Sequence, residues 1–196
     1  MPRNYTNYHI FITRIVKNVD KNINISVEAK DILNNLIKDL IFKYISNSVE
    51  LCRYAKKITI DSNTITTLTI MWIDNNSLML EYAHTVWDKY SKNDIKGIKK
   101  GVKSGLCIPP SRIFESFKEY KGVNQKIGEP AYIFLTAIIE YIIKQIITYS
   151  FSLVKQDNKI TINEEYIYRS LNSTELRYLQ PLFYNTIICG YGYLRL

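Results

Sequence analysis

The sequence predicts an all-α protein made of two similar halves, and three observations carry that expectation. Two long segments, from about Ser26 to Arg53 and from about Glu129 to Lys155, place apolar residues at helical spacing over many turns. The stretch "KKITID" at 56–61 recurs as "NKITIN" at 158–163, so that Lys57 and Lys159 stand 102 residues apart. Each copy closes one of the long segments, and a shorter helical pattern flanks each long one on either side.

The first half begins with a short helix from about Tyr8 to Val19, with Ile12, Ile15, Val16 and Val19 on one side. Ser26 precedes the long segment as an N-cap, and Ala29, Ile32, Leu33, Leu36, Ile37, Leu40, Ile41, Tyr44 and Ile45 then fall at helical spacing with no Gly or Pro between them. At 1.5 Å per residue such a helix is roughly 40 Å long, more than a small domain needs. "KKITI" reads as a brief extended piece, and Asp61 caps "SNTITTLTIMWI" as a helix despite its β-branched content. A further helix is expected at about Ser77 to Tyr90.

The second half repeats this order. Pro109 and Pro110 introduce "SRIFESFKEY", "KGVNQKIG" supplies a loop, and the long segment from Glu129 follows. "NKITI" then intervenes, Asn163 with Glu164 and Glu165 opens another helix with acids set against its dipole, and a last helix is expected at about Ser173 to Leu182. The second long segment is apolar nearly all round, at Phe134, Leu135, Ile138, Ile139, Tyr141, Ile142, Ile146 and Ile147, and therefore requires cover on several sides. The economical cover is the other half, so the two copies are expected to clasp one another. The expected organisation is 1–91, a basic linker at 92–103, and 104–196.

Charge supports that division. The chain carries a formal +8, with 11 basic and 9 acidic side chains in residues 1–91, five and one in 92–103, and ten and eight in 104–196. "KNDIKGIKKGVK", with Lys96, Lys99, Lys100 and Lys103, thus holds half the excess. A cationic strap suits a polyanion such as nucleic acid, because each lysine set against a phosphate releases counterions. A linker kept soluble by its charge is an equal reading of the same residues.

Several function classes are disfavoured. Cys52, Cys107 and Cys189 are far apart, and the only histidines are His9 and His84, so no metal-ligand spacing or disulfide framework is visible. The cysteines are expected as small buried hydrophobes, and Trp72 and Trp87 as core or interface residues rather than a stacking platform. No paired carboxylates and no phosphate-cradling glycine loop are present, so neither catalysis nor a cofactor nor a small-molecule substrate is expected. No signal sequence or membrane span is expected either.

The ordered set of motifs resembles the core histones. Residues 8–73, with "IVKNVDKNINISVEAKDILNNLIKDLIFKYISNSVELCRYAKKITI", resemble histone two-B. Residues 104–190, with "SGLCIPPSRI", "LTAIIEYI", "DNKITI", "STEL" and "TIICG", resemble histone two-A. Both in one chain, in that order, resemble the fused histone doublets of large DNA viruses. The resemblance implies two histone folds clasped in an intramolecular handshake pseudo-heterodimer, in which the first loop of each fold lies beside the second loop of the other. It implies binding of double-stranded DNA without base reading, two copies per nucleosome-like particle, and a histone three/four-type partner. It also implies residence with DNA in a virion, a viral factory or the host nucleus.

Carried across by position, the DNA contacts implied are Arg14, Ser26, Lys57 and Thr59 in the first half, and Arg112, Lys118, Lys126, Lys159 and Thr161 in the second, with the linker lysines beside them. The implied residual docking patch is Glu140 and Glu175, since the other acidic positions of the family read Gln145, Thr148, Ser173 and Thr174; Asp74 and Glu81 are further candidates from the first half. Thr161 stands where the family has an arginine that enters the minor groove, and Glu115 and Glu28 replace basic residues, so weaker wrapping is expected. With only "MPRNYTN" ahead of the first helix, a reduced tail is expected. Two other readings stand beside this one, a histone-fold transcription-factor subunit and a viral α-helical adaptor that captures partner helices.

Overall fold

The structure, a computed structural model, describes residues 7–74, 76–92, 103–120 and 125–183, with short strands at 187–188 and 192–193. The first half runs α1 His9–Val19, β1 Asn24–Ile25, α2 Val27–Tyr54, β2 Thr59–Ile60, α3 Ser62–Trp72 and α4 Ser77–Lys92. The second runs α5 Pro110–Glu119, β3 Lys126–Ile127, α6 Glu129–Gln156, β4 Thr161–Ile162 and α7 Glu164–Leu171. A 3-10 helix at Arg177–Phe183 and the antiparallel pair β5 Ile187–Ile188 and β6 Gly192–Tyr193 follow.

Helix starts are written in the sequence. Ser26 Oγ accepts the N–H of Ala29 at 3.1 Å, Asp61 accepts that of Thr64 at 2.8 Å, and Asn163 accepts that of Tyr166 at 3.3 Å, each satisfying an amide that a helix start leaves free. Pro110 is the first residue of α5, where its missing N–H costs nothing. Both long helices have 28 residues, and both stop in the same way. Lys56 and Asn158 take the left-handed conformation, at φ 53° and 52°. Their N–H groups donate to Arg53 O and Lys155 O at 3.1 Å, while Lys57 N–H reaches Cys52 O at 2.8 Å and Lys159 N–H reaches Val154 O at 2.9 Å. These are paired Schellman turns, and neither uses the usual glycine.

The chain forms two compact units, and each draws on both halves of the sequence. One is built within residues 40–141, the other from residues 7–39 together with 142 onward. In the 40–141 unit, Leu40, Tyr44 and Val49 of α2 are buried, as are Ile65 and Leu68 of α3, Met79 and Val86 of α4, Ile113 and Phe117 of α5, and the whole run Ala131–Glu140 of α6. Inside it β2 pairs in parallel with β3, Thr59 opposite Lys126. In the other unit the buried set is Ile12 and Val16 of α1, Leu33 and Ile37 of α2, Ile142, Ile146 and Val154 of α6, and Ile167 and Leu171 of α7. There β1 pairs in parallel with β4, Asn24 opposite Thr161. In both cases the first loop of one half lies against the second loop of the other, the head-to-tail clasp expected of two histone folds.

Three expectations are corrected. The last helix, placed at about Ser173 to Leu182, is a 3-10 helix at Arg177–Phe183, and Pro181 lies inside it, where in an α-helix its ring would clash with the carbonyl four residues back. Glu129–Gln156 is long and apolar enough to cross a membrane by length and composition, contrary to expectation, but 78% of its most apolar window is buried within the protein. Cys52 is buried as anticipated, Cys107 is only half-buried, and Cys189 lies outside the described residues. Trp72 and Trp87 are half-buried, the first set edge-on to Tyr44 at 4.9 Å and the second stacked on Tyr90 at 5.7 Å.

Candidate nucleic-acid interface

Each Schellman turn sets a lysine two residues ahead of a strand pair. In the 40–141 unit, Lys126 N–H donates to Ile58 O and Gly128 N–H to Ile60 O, both at 2.9 Å. That pairing sets exposed Thr59 beside exposed Lys126, with exposed Lys57 two residues before Thr59. Lys118 is exposed on α5, its ammonium 4.3 Å from the centre of the Phe114 ring, and it lines a surface hollow together with Lys126. Arg112, also on α5, is half-buried.

In the other unit, Asn24 N–H donates to Ile160 O and Ser26 N–H to Ile162 O, both at 2.9 Å. Half-buried Ser26 and Thr161 thereby meet at one end with exposed Lys159, and Arg14 is exposed on α1 with its guanidinium 5.7 Å from the Phe11 ring centre. Of the residues carried over from the resemblance, Lys57, Thr59, Lys118 and Lys126 gather around the β2–β3 pair, and Ser26, Lys159 and Thr161 around the β1–β4 pair. Arg14 and Arg112 belong to different units. Lys103 is half-buried, whereas Lys96, Lys99 and Lys100 lie outside the described residues.

The ionic surroundings differ between the clusters. Lys57 reaches Asp61 at 3.2 Å, an exposed pair. Burial pushes the Asp61 carboxyl up, but the hydroxyl and N–H of Thr64 together with the Lys57 ammonium outweigh it and hold the group below the usual carboxylate range. The matching position in the second half is Asn163, so Lys159 has no such acid and instead stands 5.4 Å from the centre of the Tyr166 ring. A bond to the Tyr166 hydroxyl raises the Lys159 ammonium above its ordinary value. That hydroxyl donates in turn to Asp157 at 2.8 Å, and Arg169 donates to the same carboxylate oxygen at 3.0 Å.

Glu28 occupies the start of α2, its carboxyl held low by its own backbone N–H and by the Ser26 hydroxyl. Its carboxylate thus sits against an amide at the N-terminal end of α2, where the helix dipole favours a negative charge.

Sequence reasoning missed three cations. Lys17 holds loop one by donating to Ile23 O at 2.7 Å and Lys21 O at 3.0 Å. Lys155 stands 4.5 Å from the Phe151 ring centre and lines a hollow of about 220 Å³ with Lys159 and Asp20. Arg169 is the third. Lys17 follows Arg14 by nearly one turn of α1, and Lys155 sits in the last turn of α6, a spacing signal that could have found both.

The expected docking carboxylates separate. Glu175 is exposed, with Tyr149 donating to it at 2.8 Å. Glu140 is not on the surface: it is 5% exposed, and its Oε2 accepts the N–H of Ile108 at 2.8 Å, so it ties the start of the second half to α6. Asp74 and Glu81 are exposed. No cluster of three metal-ligating side chains occurs among the described residues.

No family model matches the sequence. Among solved structures, the chain is similar to the crystal structure of the histone from Methanopyrus kandleri, at a TM-score of 0.57 and 13% identity, over 84% of this chain and 92% of that one. A match over 84% exceeds either half, so a single chain of that protein has counterparts to elements of both halves. The fold of this protein is accordingly the histone fold, carried twice along one chain.

Proposed function

We propose that this protein is a structural chromatin protein, a fused histone doublet that binds and wraps double-stranded DNA without reading its sequence. One observation carries the reading. Each unit pairs the first loop of one half with the second loop of the other, and so gathers Lys57, Thr59 and Lys126 at one strand pair and Ser26, Lys159 and Thr161 at another. Two-residue strand pairs flanked by lysines, hydroxyls and helix starts offer amides and cations to phosphates. The linker lysines of 92–103 add sequence-independent attraction.

In this reading the protein joins a histone three/four-type partner, two copies per particle, to compact a viral genome in the virion, the viral factory or the host nucleus. The surface of about Val49 to Trp72 is the face for that partner. Several of its side chains are exposed and apolar, including Tyr54 at 87%, Met71 at 68% and Ile70 at 55%. With Glu28 and Glu115 in place of bases and Thr161 in place of an arginine, the DNA should leave at lower salt than it leaves a eukaryotic nucleosome.

The deciding experiment mixes the protein with a three/four-type partner and long DNA and digests with a nuclease. A discrete protected length supports the reading. Protection confined to one base sequence, or none at all, overturns it.

A further inference from the structure

Phe42, on α2, is an aromatic side chain left 61% exposed. Its ring centre lies 5.6 Å from that of Tyr120, at the end of α5, tilted by 57°. Beside Tyr120 opens a hollow of about 400 Å³ walled by Phe114, Phe117, Tyr120 and Gln125, with Lys118 and Lys126 also lining it. Within it the Oε1 of Gln125 is buried and meets no hydrogen-bond donor among the described residues. All these residues belong to the 40–141 unit.

The site asks for three things at once: a flat apolar face to cover the exposed Phe42 ring, a donor for Gln125, and an anion for the two lysines. An unpaired nucleotide supplies all three, the donor coming from an amino or ring N–H group of the base. A duplex cannot, because its base faces are already stacked and its base donors are paired. The volume falls within the range of small-ligand pockets, about 300–1,000 Å³.

We infer that the exposed Phe42 ring and the adjoining hollow beside Tyr120 bind an unpaired nucleotide of a single strand, DNA or RNA, its base stacked on Phe42 and its phosphates on Lys118 and Lys126. The site shares Lys118 and Lys126 with the duplex surface proposed above, whereas Phe42, Tyr120 and Gln125 take no part there.

The test measures the affinity of the whole protein for three short labelled probes of equal charge at one salt concentration: an oligodeoxyadenylate, its ribose counterpart, and an abasic strand. Stacking of one base on an aromatic side chain corresponds to roughly a tenfold gain, so the adenylate strand should bind about tenfold tighter than the abasic one. Phe42→Ala should abolish that advantage and Phe42→Trp should keep it, while affinity for a duplex stays unchanged in both. Preference between the adenylate probes tells which nucleic acid the site takes. Equal binding of base-bearing and abasic strands overturns the inference, as does a Phe42→Ala protein that keeps the advantage or loses duplex affinity in equal measure. A protein that binds the single strand base-dependently but no duplex would sink the function proposed above and leave this site in place.

Discussion

Asp61 holds the ammonium of Lys57 at 3.2 Å while its other carboxylate oxygen caps α3 through Thr64. The counterpart Asn163 caps α7 with no charge to spare for Lys159. The cap and the ion pair are therefore separable, since Asn caps a helix about as well as Asp. Asp61→Asn should leave stability nearly unchanged, because exposed ion pairs contribute about 0–1 kcal/mol. It should strengthen duplex binding and steepen the dependence of log K on log salt by up to about 0.9, the value of one added phosphate contact. A slope unchanged within error would show that Lys57 does not stand at a phosphate.

A pH prediction follows from Asp157. The Tyr166 hydroxyl first, and then the Arg169 guanidinium, hold its carboxyl below the usual range. A depressed folded-state pKa gives stability that is fully present above the unfolded value, about 3.9, and is lost as the pH falls through the lower folded value. Asp157→Asn should therefore lower the urea midpoint at neutral pH and flatten its fall on acidification, so that the two proteins converge at low pH. Curves that stay parallel through the acid range would show that Asp157 titrates alike in the folded and unfolded chains.

Much of the fold is legible in the sequence. Apolar spacing marked both long helices to within a residue or two, and Ser26, Asp61 and Asn163 announced helix starts, because caps and periodicity are local. What stayed hidden depends on distant partners. Glu140 looked like a surface carboxylate; its burial is decided by the Ile108 N–H, 32 residues away. The pairing of Thr59 with Lys126, and of Asn24 with Thr161, came into view only through the family resemblance, since two-residue strands leave no periodic trace. The Schellman turns were invisible because Lys and Asn stand where glycine is the usual signal.

That last point is open to test. Lys56 sits at φ 53°, where a side chain costs roughly 1 kcal/mol that glycine avoids. Lys56→Gly should raise stability to denaturant by up to about 1 kcal/mol, and Asn158→Gly by less, because Asn tolerates the left-handed region better. Destabilisation by Lys56→Gly would mean that the Lys56 side chain contributes more than the turn costs.

Glu140 should behave as a structural residue. Its removal leaves the buried Ile108 N–H without this acceptor, and losing a hydrogen bond to a charged group costs about 1.5–3 kcal/mol. Glu140→Ala should lower stability by that order, whereas Glu175→Ala, at an exposed position, should cost well under half as much. Equal losses would mean that the Ile108 bond adds nothing beyond surface electrostatics.

Thr161 lies in β4, half-buried and opposite Asn24, at the strand pair that also holds Ser26 and follows Lys159. The resemblance puts a minor-groove arginine at this position, and a planar guanidinium in a narrow groove gains from the concentrated negative potential there. Thr161→Arg should therefore raise the salt concentration at which duplex DNA is released. The gain should be larger on A/T-rich DNA, whose minor groove is narrower, than on G/C-rich DNA of the same length. An equal gain on both would mean that the new charge acts only as another phosphate contact. No gain on either would place the β1–β4 pair away from the DNA, and leave the β2–β3 cluster as the protein's point of contact.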